Sequence, residues 1–152
     1  MLVQERMTRN PLTVAPSTPA LEAAARLKIS RLHVLPVVAH GKLVGVVKER
    51  DLEDAAHRQA ELQQQQLEQV GQHDSLPYLF TRLLLQNLTV QDVMAESTAE
   101  LVPTMTLAQA ARTLLTHHVL GLPVVQNGDL VGVLTVSDLL GALAETDPQV
   151  QA

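Results

Sequence analysis

The fold is decided by the stretch Asn127-Gly128-Asp129-Leu130-Val131-Gly132-Val133-Leu134-Thr135-Val136-Ser137-Asp138-Leu139-Leu140. Asn-Gly between two apolar runs is a strong signal for a hairpin, because both central residues of its turn need a positive φ. The apolar run after the turn therefore predicts a buried strand that pairs with the run at 122–125. A helix is expected to begin at Thr135 and to carry Asp138 in its first turn.

The same pattern occurs 87 positions earlier, where Asp51 corresponds to Asp138. No gap is needed to align the two copies, so the chain is a tandem duplication. The matches at this offset are Met7/Met94, Pro16/Pro103, Ala23-Ala24/Ala110-Ala111, Leu27/Leu114, Leu35–Val38/Leu122–Val125, Leu43–Val46/Leu130–Val133 and Asp51-Leu52/Asp138-Leu139.

Each copy has the same order of predicted elements, β-α-β-β-α. Short extended pieces at 13–14 and 101–102 come first, and helices then begin at Thr18 in one copy and at Thr104 or Thr106 in the other. The two following strands are continuous apolar runs, which indicates burial on both faces. One copy of about 60 residues is only marginally able to bury a core. We therefore expect an α/β (α+β) fold in which two repeats pack with pseudo-twofold symmetry.

The duplication also predicts the domain organisation. Between the copies lies a stretch without a counterpart. Its first part is either a helix to which no functional residue is assigned or a flexible linker. From Ser75 the pattern favours a further helix with an apolar stripe, which either packs on the parent domain or serves a subunit interface. The expected divisions are repeat 1 at 1–57, a helical insertion at 58–87, repeat 2 at 88–146 and a tail at 147–152.

Composition excludes several classes of function. A formal net charge of −5 argues against a nucleic-acid partner held through its phosphates. The chain has no cysteine, which excludes disulfides and thiolate zinc sites. Glu5 and Arg6 interrupt the first apolar residues, and no apolar run approaches the length of a membrane span. We expect a cytoplasmic protein without a membrane partner.

The duplicated pattern Leu-Pro-Val-Val, then Gly-x-Leu-Val-Gly-Val-x-x-x-x-Asp-Leu, resembles the CBS domain, and two copies in tandem resemble a CBS pair, or Bateman module. The resemblance covers residues 1 to about 145. The opening Met1-Leu2-Val3-x-x-x-Met7-Thr8 and the segment Leu88-Thr89-Val90-x-Asp92-Val93-Met94 are similar to AcuB-like members, here without the ACT domain that some of them carry.

The resemblance implies a regulatory module that binds AMP, ADP, ATP or S-adenosylmethionine in clefts between the repeats. It requires no cofactor, although Mg²⁺ could accompany a bound phosphate. The family motif is Gly-hydrophobic-x-Thr/Ser-x-x-Asp, in which Asp bonds the ribose and Thr or Ser contacts phosphate. Gly132, Thr135 and Asp138 match it in the second copy. Gly45 and Asp51 match it in the first copy.

Lys48 stands in the first copy where the motif has Thr or Ser. Arg50 adds a second cation, and His33 lies where related sequences often place a basic residue that faces the cleft. Thr135, Ser137 and Leu120 occupy the corresponding positions of the second copy. We therefore hypothesise two unequal sites, the first favouring more phosphate charge and the second favouring AMP or an uncharged tail. Alternatively, the cations lie in solvent and pair with Glu49, Glu53 or Asp54.

Thr135-x-x-Asp138 is also the pattern of a helix capping box. Lys48 cannot cap through an oxygen, yet Asp51 is still present three residues later, which favours a carboxylate needed for more than capping. A ribose diol needs such an acceptor.

Adenine needs an apolar slot. The candidates are Val14, Val34 and Leu35 in the first copy and Val102, Gly121 and Leu122 in the second. Gly121 also permits close backbone approach to a ligand.

No catalytic residue is predicted. His117 and His118 point about 100° apart on a helix, which is poor geometry for one metal ion, so no metal site is predicted either. The family resemblance implies a homodimer of CBS pairs and a regulated partner protein that remains unidentified. Alternatively, the chain is a structural or oligomerisation module whose clefts bind nothing.

Overall fold

A computed structural model describes residues 1–30, 32–66, 83–97 and 99–146. Predictions for the tail at 147–152, and for most of the helix from Ser75, lie outside these residues. The helices that lie wholly within these residues are α1 Val3–Arg6, α2 Ala20–Ser30, α3 Glu49–Gln66, α4 Val90–Val93, α5 Leu107–His117 and α6 Val136–Thr146. The strands are β1 Thr8–Arg9, β2 Val34–Ala39, β3 Lys42–Lys48, β4 Gly121–Gln126 and β5 Asp129–Thr135. In the described part of the chain, no helix is long and apolar enough to cross a membrane.

The two predicted hairpins are confirmed. β2 pairs with β3, and β4 pairs with β5, both antiparallel and each with one irregularity in register. Asn127 and Gly128 have φ of 54° and 84°, and His40 and Gly41 have φ of 53° and 77°. Both turns therefore use the left-handed conformation that the Asn-Gly pattern requires.

Each repeat places its opening extended piece beside its own hairpin. Val14 bridges Val37 in parallel, and Leu101 bridges Val124 in the same way. These single bridges confirm the predicted β-α-β-β-α order. The predicted boundary at 57–58 lies inside α3, which is helical up to Gln66.

The helices that follow the opening extended pieces, α2 and α5, begin differently. Thr106 caps α5, because its Oγ1 accepts from the N–H of Gln109 at 3.1 Å. The hydroxyl of Thr18 instead accepts from the N–H of Ala15 at 3.0 Å, so the predicted cap at Thr18 is wrong. The carbonyl of Pro19 accepts from the first turn of α2, and Pro19 corresponds to Thr106 in the alignment of the repeats.

The N-terminal segments of the two repeats are exchanged. β1 of the first repeat extends the sheet of the second, with Thr8 opposite Val133. In the same way Ala95 of the second repeat bridges Val46 of the first, through two hydrogen bonds of 2.9 and 3.0 Å. Val3 consequently belongs to the core of the second repeat. Each sheet is completed by the opposite half of the chain.

An exposed ion pair adds to this exchange. The guanidinium of Arg6 in α1 donates to the carboxylate of Glu145 in α6. This hydrogen bond holds the pKa of Glu145 below its usual value.

The pseudo-twofold axis runs between the hairpins, where residues 87 positions apart lie close together. Val46 and Val133 form a small buried cluster with Val34. Lys42 Nζ lies 2.8 Å from the carboxylate of Asp129. The two strands that carry these residues, β3 and β5, therefore run side by side along the axis.

Glycine at two equivalent positions makes the exchange possible. A Cβ on Gly132 would lie 2.8 Å from both the Thr8 carbonyl oxygen and the Met7 Sδ. A Cβ on Gly45 would lie 2.8 Å from the carbonyl oxygen of Ala95. Any side chain at these positions would push the exchanged segment off the sheet.

We expect Gly132→Ala to lower the free energy of unfolding by about 1–3 kcal/mol, because the new methyl group overpacks a backbone contact. Gly141 in α6 is the matched control, since nothing lies within 4 Å of a Cβ there. Gly141→Ala should raise stability by about 0.5–1 kcal/mol through helix propensity. Urea denaturation measures both, and equal effects of the two variants would contradict the close contact at Gly132.

Candidate functional site

The two sequence motifs lie at the same end of the hairpins, on either side of the axis. Thr135 ends β5 and pairs with Gly121, and Lys48 ends β3 and pairs with Val34. A Cβ on Gly121 would lie 3.2 Å from Thr135 Cγ2 and 3.3 Å from Val34 Cγ1. The helices α3 and α6 therefore begin close to the line where the two repeats meet.

Asp138 closes a capping box in the second repeat. Its Oδ2 accepts from the backbone N–H of Thr135 at 2.8 Å and from the Thr135 hydroxyl at 3.1 Å. The backbone N–H of Asp138 lies 3.4 Å from the same hydroxyl. Thr135 is buried, so this pair fixes the start of α6 at the edge of the repeat interface.

Asp51 occupies the same place in the first repeat, where its Oδ2 accepts from the backbone N–H of Lys48 at 2.8 Å. Asp51 therefore caps α3 even though Lys48 supplies no hydroxyl. From the sequence, the missing hydroxyl at Lys48 favours a role for Asp51 beyond capping, but the carboxylate needs only a backbone donor to cap the helix. Capping alone accounts for a carboxylate at both positions.

One carboxylate oxygen of each aspartate remains unused by the described residues. All hydrogen bonds to Asp51 and Asp138 side chains from these residues reach Oδ2, which leaves Oδ1 without a donor. Both side chains are half-buried. At each helix start, the aspartate therefore caps the helix through Oδ2 and keeps Oδ1 available as an acceptor.

A family model for the CBS domain matches residues 3–58 and 90–145, well over half of the chain. The chain belongs to the CBS domain family. The two matched segments are the two halves of the duplication, so the predicted tandem CBS pair is confirmed.

Three known proteins illustrate the similarity. The CBS domain-containing protein YhcV of Bacillus subtilis (strain 168) is 28% identical over 137 residues, which cover 90% of this chain and 81% of YhcV. CBSX2 is a CBS-pair protein of Arabidopsis thaliana. Its crystal structure in complex with AMP is 29% identical with a TM-score of 0.70, over 95% of this chain and 96% of that one. A Vibrio cholerae protein described as acetoin utilization protein AcuB shares the fold at 24% identity, with a TM-score of 0.73 over 100% of this chain and 97% of that one.

Three basic residues of the first CBS repeat lie near the start of α3. Lys48 is half-buried, and Arg50 and His33 are exposed. The ion pairs of the described residues involve neither Lys48 nor Arg50. The predicted pairing of these cations with Glu49, Glu53 or Asp54 is therefore not seen in this part of the chain.

The candidates for an adenine slot are mostly core residues. Val14 and Leu35 belong to the first core, Leu122 belongs to the second, and Val34 packs at the axis. Val102 is 45% exposed and is the most accessible of the set.

Gly121 has protein neighbours where a ligand was expected. Thr135 and Val34 fill the space in front of its Cα. Glycine at 121 thus allows the two repeats to pack closely. Val34 is its counterpart in the first repeat, and a second valine at 121 would crowd the axis.

Among the described residues, no group of three or more His, Asp or Glu side chains is placed so that it could hold a metal ion. His117 and His118 end α5, and His118 has a left-handed φ of 54°.

We expect Asp51→Ala to lower the free energy of unfolding by about 1–2 kcal/mol, because a hydrogen bond to a charged acceptor at a helix start is lost. Glu53→Ala is the control on the same helix, where the exposed side chain should change stability by less than about 0.5 kcal/mol. Thermal unfolding of both variants measures the difference. Similar midpoints would show that the Asp51 cap contributes no stability.

Proposed function

We propose that this CBS pair is a regulatory module that binds an adenine nucleotide between its repeats and signals by a change in conformation. One observation carries the proposal: two equivalent aspartates beside the axis each have an oxygen without a donor among the described residues. Membership of the CBS family supports it, as does the similarity to CBSX2, whose structure holds AMP. We assign the module no catalytic activity of its own.

In this proposal, Oδ1 of Asp138 or Asp51 accepts hydrogen bonds from the two hydroxyls of a ribose. A single carboxylate suits that task because it only accepts, and adjacent hydroxyls can both donate to it. The first turns of α6 and α3 provide the positive end of a helix dipole, which favours phosphate. The hydroxyl of Thr135 lies at the start of α6, close to such a phosphate.

The route from binding to conformation follows from the packing at the axis. Val34 and Gly121 meet where the two motifs begin, and their neighbours Lys48 and Thr135 belong to opposite repeats. A nucleotide held at this line contacts both repeats and favours one relative position of the two. A regulated partner protein then responds to the relative position of the two repeats.

We further propose that the two clefts prefer different ligands. Lys48 and Arg50 place two cations at the first motif, and His33 adds a further basic residue beside it, which suits ADP or ATP, with Mg²⁺ on the phosphates. Thr135 and the exposed Leu120 leave the second motif uncharged on that side, which suits AMP or the tail of S-adenosylmethionine.

The module is proposed to act as a homodimer in the cytoplasm. Neither nucleic acid nor membrane is proposed as a partner, in keeping with the net charge of −5.

A structural or oligomerisation module is the alternative. The capping role of both aspartates and the burial of Val14, Val34 and Leu122 favour it, since each feature serves folding alone. In that case the clefts bind no nucleotide, and none of the candidate ligands should raise the melting temperature.

Asp138→Asn tests the nucleotide site without removing the cap, because the amide oxygen can still accept from the backbone of Thr135. We expect AMP to stabilise the wild type, by about 2.7 kcal/mol at one hundred times its Kd. The variant should bind AMP roughly 10- to 100-fold more weakly, since a hydrogen bond to a charged group is lost. Thermal shift and isothermal titration calorimetry measure this. Absence of any shift with AMP, ADP, ATP or S-adenosylmethionine would support the structural alternative.

Lys48→Thr tests the difference between the clefts, because it restores the family residue to the first motif. The variant should lose affinity for ATP by about tenfold or more and keep its affinity for AMP, since one ammonium group no longer faces the additional phosphates. Arg112→Gln on α5 controls for the change in net charge and should leave both affinities unchanged. An unchanged ATP affinity in Lys48→Thr would contradict the proposed preference.

A further inference from the structure

Two methionines lie at equivalent points where the exchanged segments reach the opposite sheets. Met7 directly follows α1 and Met94 directly follows α4, with nearly the same φ of −64° and −65°. The next residues, Thr8 and Ala95, pair with β5 and β3. Of the four methionines in the chain, only these two stand 87 positions apart. The duplication therefore places a methionine at the start of each pairing between the repeats.

The sulfur of each methionine lies against a glycine of the sheet that its segment joins. A Cβ on Gly132 would lie 2.8 Å from Met7 Sδ, and a Cβ on Gly45 would lie 3.2 Å from Met94 Sδ. Met7 also packs against the core of the second repeat, and Met94 packs against the core of the first. Each thioether thus lies in the space that the glycine leaves open, beside the backbone carbonyl that approaches the same glycine.

These thioethers are open to a defined oxidation. The chain has no cysteine, so methionine provides its only sulfur groups that peroxide can oxidise. Both Met7 and Met94 are half-buried, so a small peroxide can approach each side chain from solvent. The sulfur lone pair attacks one oxygen of hydrogen peroxide, and the O–O bond breaks as the S–O bond forms. The proton of the transferred oxygen passes to the departing hydroxide, which leaves as water. The sulfur loses two electrons, and the peroxide gains them.

A sulfoxide does not suit either position. It converts an apolar group into a polar one, and its oxygen only accepts hydrogen bonds. At Gly132 and Gly45 the neighbouring backbone group is a carbonyl oxygen, which is also an acceptor. The oxidised side chain must therefore turn away from the glycine to become hydrated. Because Thr8 and Ala95 are the next residues in the chain, their pairing with the sheet is weakened.

We propose that Met7 and Met94 form a redox-sensitive switch in the contact between the repeats. Oxidation by peroxide releases the exchanged segments from the opposite sheets and loosens the two repeats. Reduction of the sulfoxides by a methionine sulfoxide reductase, with a dithiol as electron donor, restores the contact and yields a disulfide and water. The switch is independent of the proposed nucleotide site, because it requires no bound ligand.

Hydrogen exchange of the full chain, measured by mass spectrometry, tests the release. The amides of Val46 and Ala95 donate to each other's carbonyl groups at 2.9 and 3.0 Å. After treatment with hydrogen peroxide, peptides that contain these residues should exchange roughly tenfold faster or more, because local opening exposes both amides. Peptides from β4 are the internal control, since the strand pairing of β4 lies within its own repeat. The melting temperature should fall by about 4 °C or more.

Conservative variants identify the sulfur that matters. Met94→Leu should fold, since leucine and methionine have similar volumes, and should keep slow exchange at Val46 and Ala95 in peroxide. Met7→Leu should protect the pairing of β1 with β5 in the same way. Met105→Leu is the matched control, because Met105 is half-buried against the second core but touches neither glycine. It should respond to peroxide like the wild type.

Peptide mass mapping shows which methionines carry the added oxygen. Met7 and Met94 that stay unoxidised in peroxide that oxidises the exposed Met1 would overturn the proposal. Oxidation of both residues without faster exchange at Val46 and Ala95 would also overturn it. Equally faster exchange in β4 would show general damage instead of a local release. Failure of the reductase and dithiol to restore slow exchange would overturn the reversibility of the switch.

Discussion

Close approach of two backbones at Gly45 and Gly132 is the contact on which the rest of the structure depends. Each glycine lies against a carbonyl oxygen of a segment from the opposite repeat, with no room for a Cβ. The exchanged segments then supply Val3 to one core and Val90 to the other. Neither core is complete without the other half of the chain. A repeat of this size is marginal alone, and the exchange makes the two repeats one folding unit.

Residues at equivalent positions of the two repeats meet at the pseudo-twofold axis, and in two such pairs the residue types differ and complement each other. Lys42 faces Asp129, and Val34 faces Gly121, although each pair occupies equivalent positions. Two identical repeats would place like charges, or two valines, against each other. Like charges in contact repel, and two branched side chains would overfill the space. At these two pairs the copies therefore differ where identity would be costly.

Local patterns in the sequence were sufficient for the hairpins and for the order of elements. Gly41 and Gly128 adopt the positive φ that their turns need, and this depends on neighbours in sequence only. The exchange of segments could not be predicted in this way. Val3 and Met7 show that their segment is apolar, but they do not show which sheet it joins. Gly45 and Gly132 were the available signal, as glycines in the middle of strands often mark close approach of another backbone.

The candidate site was less predictable than the fold for a related reason. A carboxylate three residues after a helix start serves capping and ligand binding with the same atoms, as Asp51 and Asp138 show. The space beside Gly121 depends on Val34, which is distant in sequence. Burial of Val14 and Leu122 likewise follows from the packed cores. Tertiary neighbours, which a linear pattern does not contain, decide what each of these side chains can contact.

The joining of both repeats in one chain also changes how the site responds to protein concentration. If the repeats were separate chains, the line where Val34 meets Gly121 would form only by association and would be lost on dilution. Joined in one chain, the repeats meet at a fixed effective concentration that dilution does not lower. The geometry around Asp51 and Asp138 is therefore the same at low and high expression, even where the association of whole chains is not.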